Sequence, residues 1–527
     1  MIFNVLQTLL VALACTAAGL HAMHILQAQR YQIDALVRRL GQGGEMPIRH
    51  EIPVALCALI VNWYLPVLLS MAINKEAERM RLCGWITLGL FLAASALVCV
   101  HKAHIPVEKP FKLTHRMLRL ILTTFLVNLG LIELIRLLSF PPYVLFALSS
   151  YVALLCAFLM RPLEDAINAR YYAAARRKIA ARDDLICIGV TGSYGKSEVK
   201  QMLKTILSER FRVLATPPSF STAMGIARVV NDQLEDAHQI FIAEMGAQHR
   251  GEIREMAKLA RPKFGVLTCI SDAHLDTFGS IEAVAQAKSE LLSALPKDGV
   301  AFFGADLGFG DRLWAMRRGE KYRAGIGAGK DYDVCADHIE TGVRGTRFEL
   351  TAKDGSRAWA QTRLLGSFSV RNLALSAAVA MKLGMRLDEI AKAMEKLRPF
   401  KHRLQLIPGD VNVIDDSANA NHDAAVEALK VLADFPGRRV LVTGGFADAE
   451  DQGYDFGTRI PGCADYVILI GTGNTRAVMS GLMTMRFQKS AIRMVNSLDD
   501  AAALVHEIAR KGDTVLYEGI RPLQDGE

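Results

Sequence analysis

Long apolar runs fill the first third of the chain, and short apolar runs alternate with amphipathic stretches through the rest. No Asp, Glu, Lys or Arg occurs in residues 1–29, 52–74, 82–101 or 140–160, and each run supplies the roughly 20 residues that cross a bilayer core. A fifth run, Met117–Leu138, holds Arg119, Glu133 and Arg136. These lie near its ends, where long side chains pair or snorkel. The pattern predicts an all-α transmembrane bundle of five spans over 1–162, with a tight connection at Ser139–Pro142. The first run lacks a basic flank on its N-terminal side and more spans follow it, so it is read as a span rather than a cleaved leader.

RPLEDAINARYYAAARRKIAARDD, from Arg161 to Asp184, is rich in alanine and arginine and predicts a juxtamembrane helix over 163–183 at the cytoplasmic face. Beyond it the period changes. Leu185–Val190 is a β-branched run followed by a glycine turn and then by Glu198–Ser208 at helical spacing. The unit recurs at Gln239–Ala243, Phe264–Cys269 and Gly299–Phe303, which indicates a parallel sheet covered on both faces. Asp331–Asp333, Thr346–Leu350 and Ala358–Leu364 sit among Gly and Asp turns and predict a small antiparallel insert, after which Val370–Lys396 reads as helix. Val413–Ile414, Arg439–Val442, Tyr466–Ile470 and Thr514–Tyr517 are the expected strands of a Rossmann-like unit. The expected domains are therefore an α/β domain over 184–406 and a second one over 407–527.

Composition sharpens this reading. Of the 527 residues 51% are hydrophobic and 22% charged, which excludes a disordered or fibrous chain. The net charge is +8. Most of that excess lies in residues 1–160, the most apolar third, so it reads as membrane flanks rather than a nucleic-acid surface. The inner loops would carry Arg30, Arg38, Arg39, Arg49, Lys102, Lys109, Lys112 and Arg116, which orients the C-terminal domains to the cytoplasm of a bacterial inner membrane. The nine cysteines form no CxxC pair, which speaks against a disulfide framework or a structural zinc site.

Chemistry starts at Gly192-Ser193-Tyr194-Gly195-Lys196-Ser197. A strand precedes this segment and a helix follows it, the setting that a phosphate loop requires. Glycines let backbone N–H groups face phosphate oxygens, Lys196 reaches the β- and γ-phosphates, and Ser197 offers a hydroxyl to Mg²⁺. The match is to GxxGK[ST]; Gly189 lies one residue too far for the longer form. A plain glycine turn with a lysine in the first helical turn is the bland alternative.

FIAEMGAQHRGEI (241–253), SDAHLDTFGSIEAVAQAKSELL (271–292) and DDSANAN (415–421) resemble the Mur ligases over about 185–525, most of all the branch that adds D-alanyl-D-alanine to a UDP-muramoyl-tripeptide. The resemblance implies a P-loop-type central ATPase domain and a C-terminal domain that jointly bind ATP with two Mg²⁺ ions. It also implies a carboxylate activated as an acyl phosphate and captured by an amine. By position it implies Ser197, Thr222 (or its neighbour Ser221), Glu244, His274 and Lys288 as metal-site residues, Lys288 being carbamylated by CO₂. Lys196, His274, Lys288 and Arg403 would be catalytic. Gly192, Ser193, Gly195, Lys196, Ser197, Asn372, Arg403, Asp416 and Asn419 would hold the nucleotide.

Departures fall elsewhere. Phe368-Ser369 stands where the family has His-Asn, Ala418 replaces the aromatic of DDSYNAN, Gly304 replaces an asparagine, and Glu518 replaces a lysine. The pattern predicts retained acyl-phosphate chemistry with a changed acceptor, either a peptide, a lipid-linked precursor or a growing polymer, and an amino acid or short peptide as the amine. A poly-γ-glutamate-type polymerising ligase shares the same features. A membrane NTPase without amide product is a third reading, which Lys288 and Arg403 oppose.

Overall fold

A computed structural model describes the chain except residues 1, 30, 32–50, 72–74, 106, 108–109, 219, 272–274, 306–307, 328–330, 419–421, 447–449 and 521–527. The chain divides into two compact units, Met1–Arg170 and Tyr171–Glu527.

Among the described residues of the first unit five helices are long and apolar enough to cross a membrane: Phe3–Ala28, Glu51–Leu68, Glu78–Ala103, His115–Leu137 and Pro142–Leu159. They enclose Phe91, Tyr143 and Phe146, while Trp63, Leu97, Leu122 and Leu137 point outward. Apolar side chains thus cover both the inside and the outside of the bundle. Several of its polar groups pair with one another. Asn128 Nδ2 donates to Thr16 Oγ1 at 3.0 Å and Gln7 Nε2 to Tyr143 Oη at 2.8 Å. Arg136 pairs with Glu133 at 3.1 Å and Arg119 with Glu164 at 2.7 Å.

Lys102 departs from its expected place in a loop flank. It is buried at the end of its helix, 2.6 Å from the equally buried Glu51, whose Oε1 also accepts from Ser150 Oγ at 2.9 Å. A carboxylate 51 residues away recruits the lysine inward, and only tertiary packing reveals that. Lys102→Met leaves Glu51 buried without its counter-charge and is expected to cost about 3–5 kcal/mol. Thermal unfolding of the full chain in detergent checks this, and Glu51→Gln/Lys102→Met should recover most of the loss.

Among its described residues the second unit holds two sheets. The larger has strand order β2-β3-β1-β4-β5-β6-β7-β8-β9, with β1 Ile186–Thr191, β2 Val213–Ala215, β3 Ile240–Glu244, β4 Phe264–Leu267, β5 Val300–Gly304, β6 Lys321–Ile326, β7 Val334–Gly342, β8 Gly345–Ala352 and β9 Arg357–Thr362. Pairing is parallel through β7 and antiparallel beyond it. The antiparallel strands therefore extend the main sheet, because β7 pairs with β6 from Ala324↔Val334 onward. Asp331–Asp333 is not a strand; the Asp333 carboxylate instead accepts from Arg323 N at 2.7 Å. Val370–Lys396 divides into helices Gly366–Lys382 and Leu387–Met394. Gly384 ends the first at φ +83°, with Met385 N donating back to Ala380 O, a glycine stop.

The smaller sheet runs β10-β11-β15-β12-β13-β14, with β10 Gln405–Ile407, β11 Asn412–Asp416, β12 Arg439–Thr443, β13 Tyr466–Ile470, β14 Ile492–Val495 and β15 Thr514–Glu518. All its pairs are parallel except β10 with β11. β10 and β14 escape the sequence pattern because they are short edge strands with few buried side chains.

Candidate functional site

β1 lies between β3 and β4, so the carboxyl ends of three strands open on the turn after β1, where α/β sheets bind ligands. The turn needs its glycines. At Gly192, φ +150°, a Cβ would come within 2.0 Å of Thr268 Oγ1, and at Gly195, φ +78°, within 3.0 Å of the Asn372 amide. The turn is fastened to the end of β4: Ser193 N donates to Cys269 O at 2.8 Å, Tyr194 N to Cys269 Sγ at 3.2 Å, and Ser271 N to Ser193 Oγ at 3.0 Å. Helix Lys196–Leu207 then starts with its N–H groups facing the turn. Lys196 Nζ donates to Gly192 O and Ser193 O, each at 2.8 Å. Burial pulls this ammonium's pKa below the ordinary lysine value.

Glu244 ends β3 beside this helix. Its Oε1 accepts from Ser197 Oγ at 2.8 Å and its Oε2 from Lys200 Nζ at 2.8 Å, both Glu244 and Lys200 being buried. Two hard oxygen donors side by side, one anionic, are the donor chemistry that Mg²⁺ selects. A second carboxylate, Glu198, accepts from Asn372 Nδ2 at 3.2 Å and lies 3.5 Å from Arg403 Nη1. Burial pushes this carboxyl up, and Arg403 opposes the shift. A cleft of about 430 Å³ opens in front of the turn, walled by Lys196, Phe368, Arg371, Arg403, His422 and Arg459. Its floor therefore comes from the large sheet and its far wall from the small one.

Residues 190–380 match the Mur ligase middle domain, and residues 402–521 match the Mur ligase glutamate ligase domain. The UDP-N-acetylmuramoyl-tripeptide–D-alanyl-D-alanine ligase of Mycobacterium tuberculosis (strain ATCC 25618 / H37Rv) is 32% identical over 367 residues, 63% of this chain and 70% of that one. The chain belongs to the Mur ligase family. The ligase of the same name from Escherichia coli (strain K12) is 34% identical over 279 residues, which are 52% of this chain but only 60% of that relative. A crystal structure of MurF from Acinetobacter baumannii matches 67% of this chain and 78% of its own with a TM-score of 0.59 and 26% identity. Both matched family segments begin after the first unit ends.

Against this Mur ligase frame the expected site residues separate into three groups. Gly192, Ser193, Gly195, Lys196, Ser197, Glu244, Asn372 and Arg403 come together around the turn. Lys288 joins them electrostatically. It is 1% exposed in helix Ile281–Ala294, and its pKa is pushed down to about 8, mainly by burial and further by Lys196. Two further expected residues accept from backbone amides. Thr222 is exposed and caps helix Ala223–Gln233, its Oγ1 accepting from Gly225 N at 3.2 Å. Asp416, expected on a ribose, is fully buried at the end of β11, where Oδ1 accepts from Leu404 N at 2.8 Å. His274 and Asn419 lie outside the described residues.

Lys200, Glu198 and the His422–Asp455 pair (2.6 Å) were absent from the sequence reading. Lys200 carried a usable signal, since it follows Ser197 by three positions and Lys196 by four, which puts all three on one helical face. The other two depend on contacts 174 and 33 residues apart that no local pattern encodes.

Glu518, the departure from lysine, stands opposite Asp416 in the β11–β15 register and accepts from Thr443 Oγ1 at 3.1 Å. Burial and the Asp416 charge raise its carboxyl well above the ordinary 4.5. The folded protein then holds a proton that the unfolded chain releases, so stability falls as pH rises from 4.5 toward the folded value. Glu518→Gln is expected to stabilise the protein above that range by about 1 kcal/mol, or roughly 2–4 °C. Melting curves between pH 5 and pH 8 should show a flatter pH dependence in the variant.

Proposed function

We propose that this Mur ligase is a membrane-anchored, ADP-forming carboxylate–amine ligase of cell-envelope peptide synthesis. It would add an amino acid or dipeptide to a peptide precursor through an acyl phosphate. The observation that carries the proposal is the Ser197–Glu244–Lys200 chain set against Lys196 at the mouth of the cleft. The relatives' name, UDP-N-acetylmuramoyl-tripeptide–D-alanyl-D-alanine ligase, supplies the substrate class. The five apolar helices supply the anchor, in a bacterial cytoplasmic membrane with the catalytic unit in the cytoplasm.

The residues divide the work. Backbone N–H groups of 195–197, at the helix N-terminus, hold the β- and γ-phosphates of ATP, and Lys196 leaves its two carbonyl partners for the γ-phosphate. Ser197 and Glu244 would hold Mg²⁺, with Thr222 or Ser221 as a further oxygen donor, and Lys200 fixes Glu244 in place. Lys288, once carbamylated, and His274 would hold a second Mg²⁺. The ions would supply neutralising charge to the phosphates. Arg403, positioned by Glu198, approaches the γ-phosphate from the junction of the two domains, so closure of the cleft completes the site. Asn372, Asp416 and Asn419 shape the nucleoside end. The amine then displaces phosphate at the acyl carbon and an amide forms.

With membrane helices in the first unit, the acceptor is proposed to be lipid-linked. Purified full chain given ATP, D-alanyl-D-alanine or single amino acids, and either membrane extract or soluble UDP-muramoyl-tripeptide tests this by product mass spectrometry. An amide product formed at least tenfold faster on the membrane acceptor is expected. Equal rates on the soluble acceptor would reject the lipid-linked assignment.

A further inference from the structure

We infer that a basic groove on the second unit, sharing no lining residue with the nucleotide cleft, is a binding site for the phosphate headgroups of anionic phospholipids. The groove measures about 770 Å³ and is lined by Arg176 of helix Arg161–Ala180, by Arg254 and Lys258 of helix Glu252–Ala260, by Arg261 just beyond it, and by Ser293 and Glu290 of helix Ile281–Ala294. All four basic side chains belong to exposed residues.

Arg254 and Lys258 lie four apart on one helical face, and Arg261 stands just beyond the helix end, so three like charges line one side of the groove. Such crowding is unfavourable unless something anionic meets it. The one carboxylate in the groove does not meet it fully. Glu290 is buried and spends both oxygens on backbone, accepting from Gly251 N at 2.7 Å and Arg254 N at 3.0 Å, and reaches the Arg254 guanidinium only at 4.0 Å. Four cations therefore face outward over one carboxylate already engaged.

Chain order supplies the partner. Helix Arg161–Ala180, which contributes Arg176, starts one residue after the last apolar helix ends at Leu159 and Met160 intervenes. The groove is thus tethered to a membrane surface, where each Lys or Arg strengthens attachment about fivefold. Headgroup phosphates are the anion present there at the highest concentration. The inference rests on the membrane reading of residues 1–160. It adds that the catalytic unit is held against the inner leaflet by charge, and so near any lipid-linked acceptor.

Hydrogen exchange of the segment 252–261 in the full chain tests this, comparing nanodiscs of phosphatidylcholine alone with discs containing phosphatidylglycerol. Exchange is expected to slow at least tenfold in the anionic discs, with the slowing lost at 1 M salt and in Arg254→Gln/Lys258→Gln/Arg261→Gln, whose phosphate release with carboxylate and amine stays unchanged. Equal exchange in both discs would overturn the inference, as would slowing that persists in the triple variant. Slowing by millimolar inorganic phosphate in neutral discs to the same extent would assign a soluble phosphate ligand and overturn the lipid source. Extraction of the chain from membranes by alkaline carbonate would instead refute the membrane reading itself. Retention in carbonate without slowed exchange refutes only the groove.

Discussion

Lys196→Ala is expected to lower ATP-dependent phosphate release by about 10²–10³-fold or more, the loss typical when one preorganised charge is removed from a transition state. Lys196 is the cation on the phosphate turn, and its two carbonyl partners at 2.8 Å are weak enough competitors to yield to a phosphate. Because those contacts also brace the turn, Lys196→Arg is the informative companion. It keeps the charge and a donor, so it should keep the fold and nucleotide affinity while losing most turnover through altered geometry. Phosphate release at saturating ATP, together with melting temperature, separates the two effects. A Lys196→Ala enzyme with full turnover would discredit the phosphate loop.

Lys288→Met is expected to abolish ligation while leaving the fold intact or firmer. A buried lysine costs desolvation, which the pKa near 8 reflects. Replacing it by an apolar chain of similar volume is therefore neutral or stabilising to folding. A purely structural lysine would show the opposite pairing. The depressed pKa has a direction that matters: above about pH 8 the amine is mostly neutral in the folded state, and only the neutral amine captures CO₂. At equal dissolved CO₂, activity of wild-type protein depleted of CO₂ should thus return faster at pH 8.5 than at pH 7. Lys288→Ala, which leaves room for a small anion, should recover partly with short carboxylic acids. Undiminished ligation in either variant would remove Lys288 from the reaction.

The sequence disclosed the broad architecture where local pattern and tertiary role coincide. Apolar runs near 20 residues became the five helices, and β-branched runs before glycine turns became β1, β3, β4 and β5. The glycine turn after β1 was legible because the backbone there demands glycine at fixed positions. Illegible features were those set by distant partners. Lys102 turned inward to Glu51, Glu198 joined Asn372 to Arg403, and Asp416 served a backbone amide at Leu404. Each of these side chains would look like an ordinary polar flank in its own neighbourhood. The antiparallel strands were visible by their turns, but their continuity with the main sheet hinges on the pairing of β6 with β7, which periodicity does not carry.

The most direct measurement follows oxygen. The full chain, given ATP and an acceptor whose carboxyl group carries ¹⁸O, should transfer one labelled oxygen to inorganic phosphate for every amide made. Unlabelled phosphate, or phosphate released at the same rate with no carboxylate present, would contradict carboxyl activation at this site.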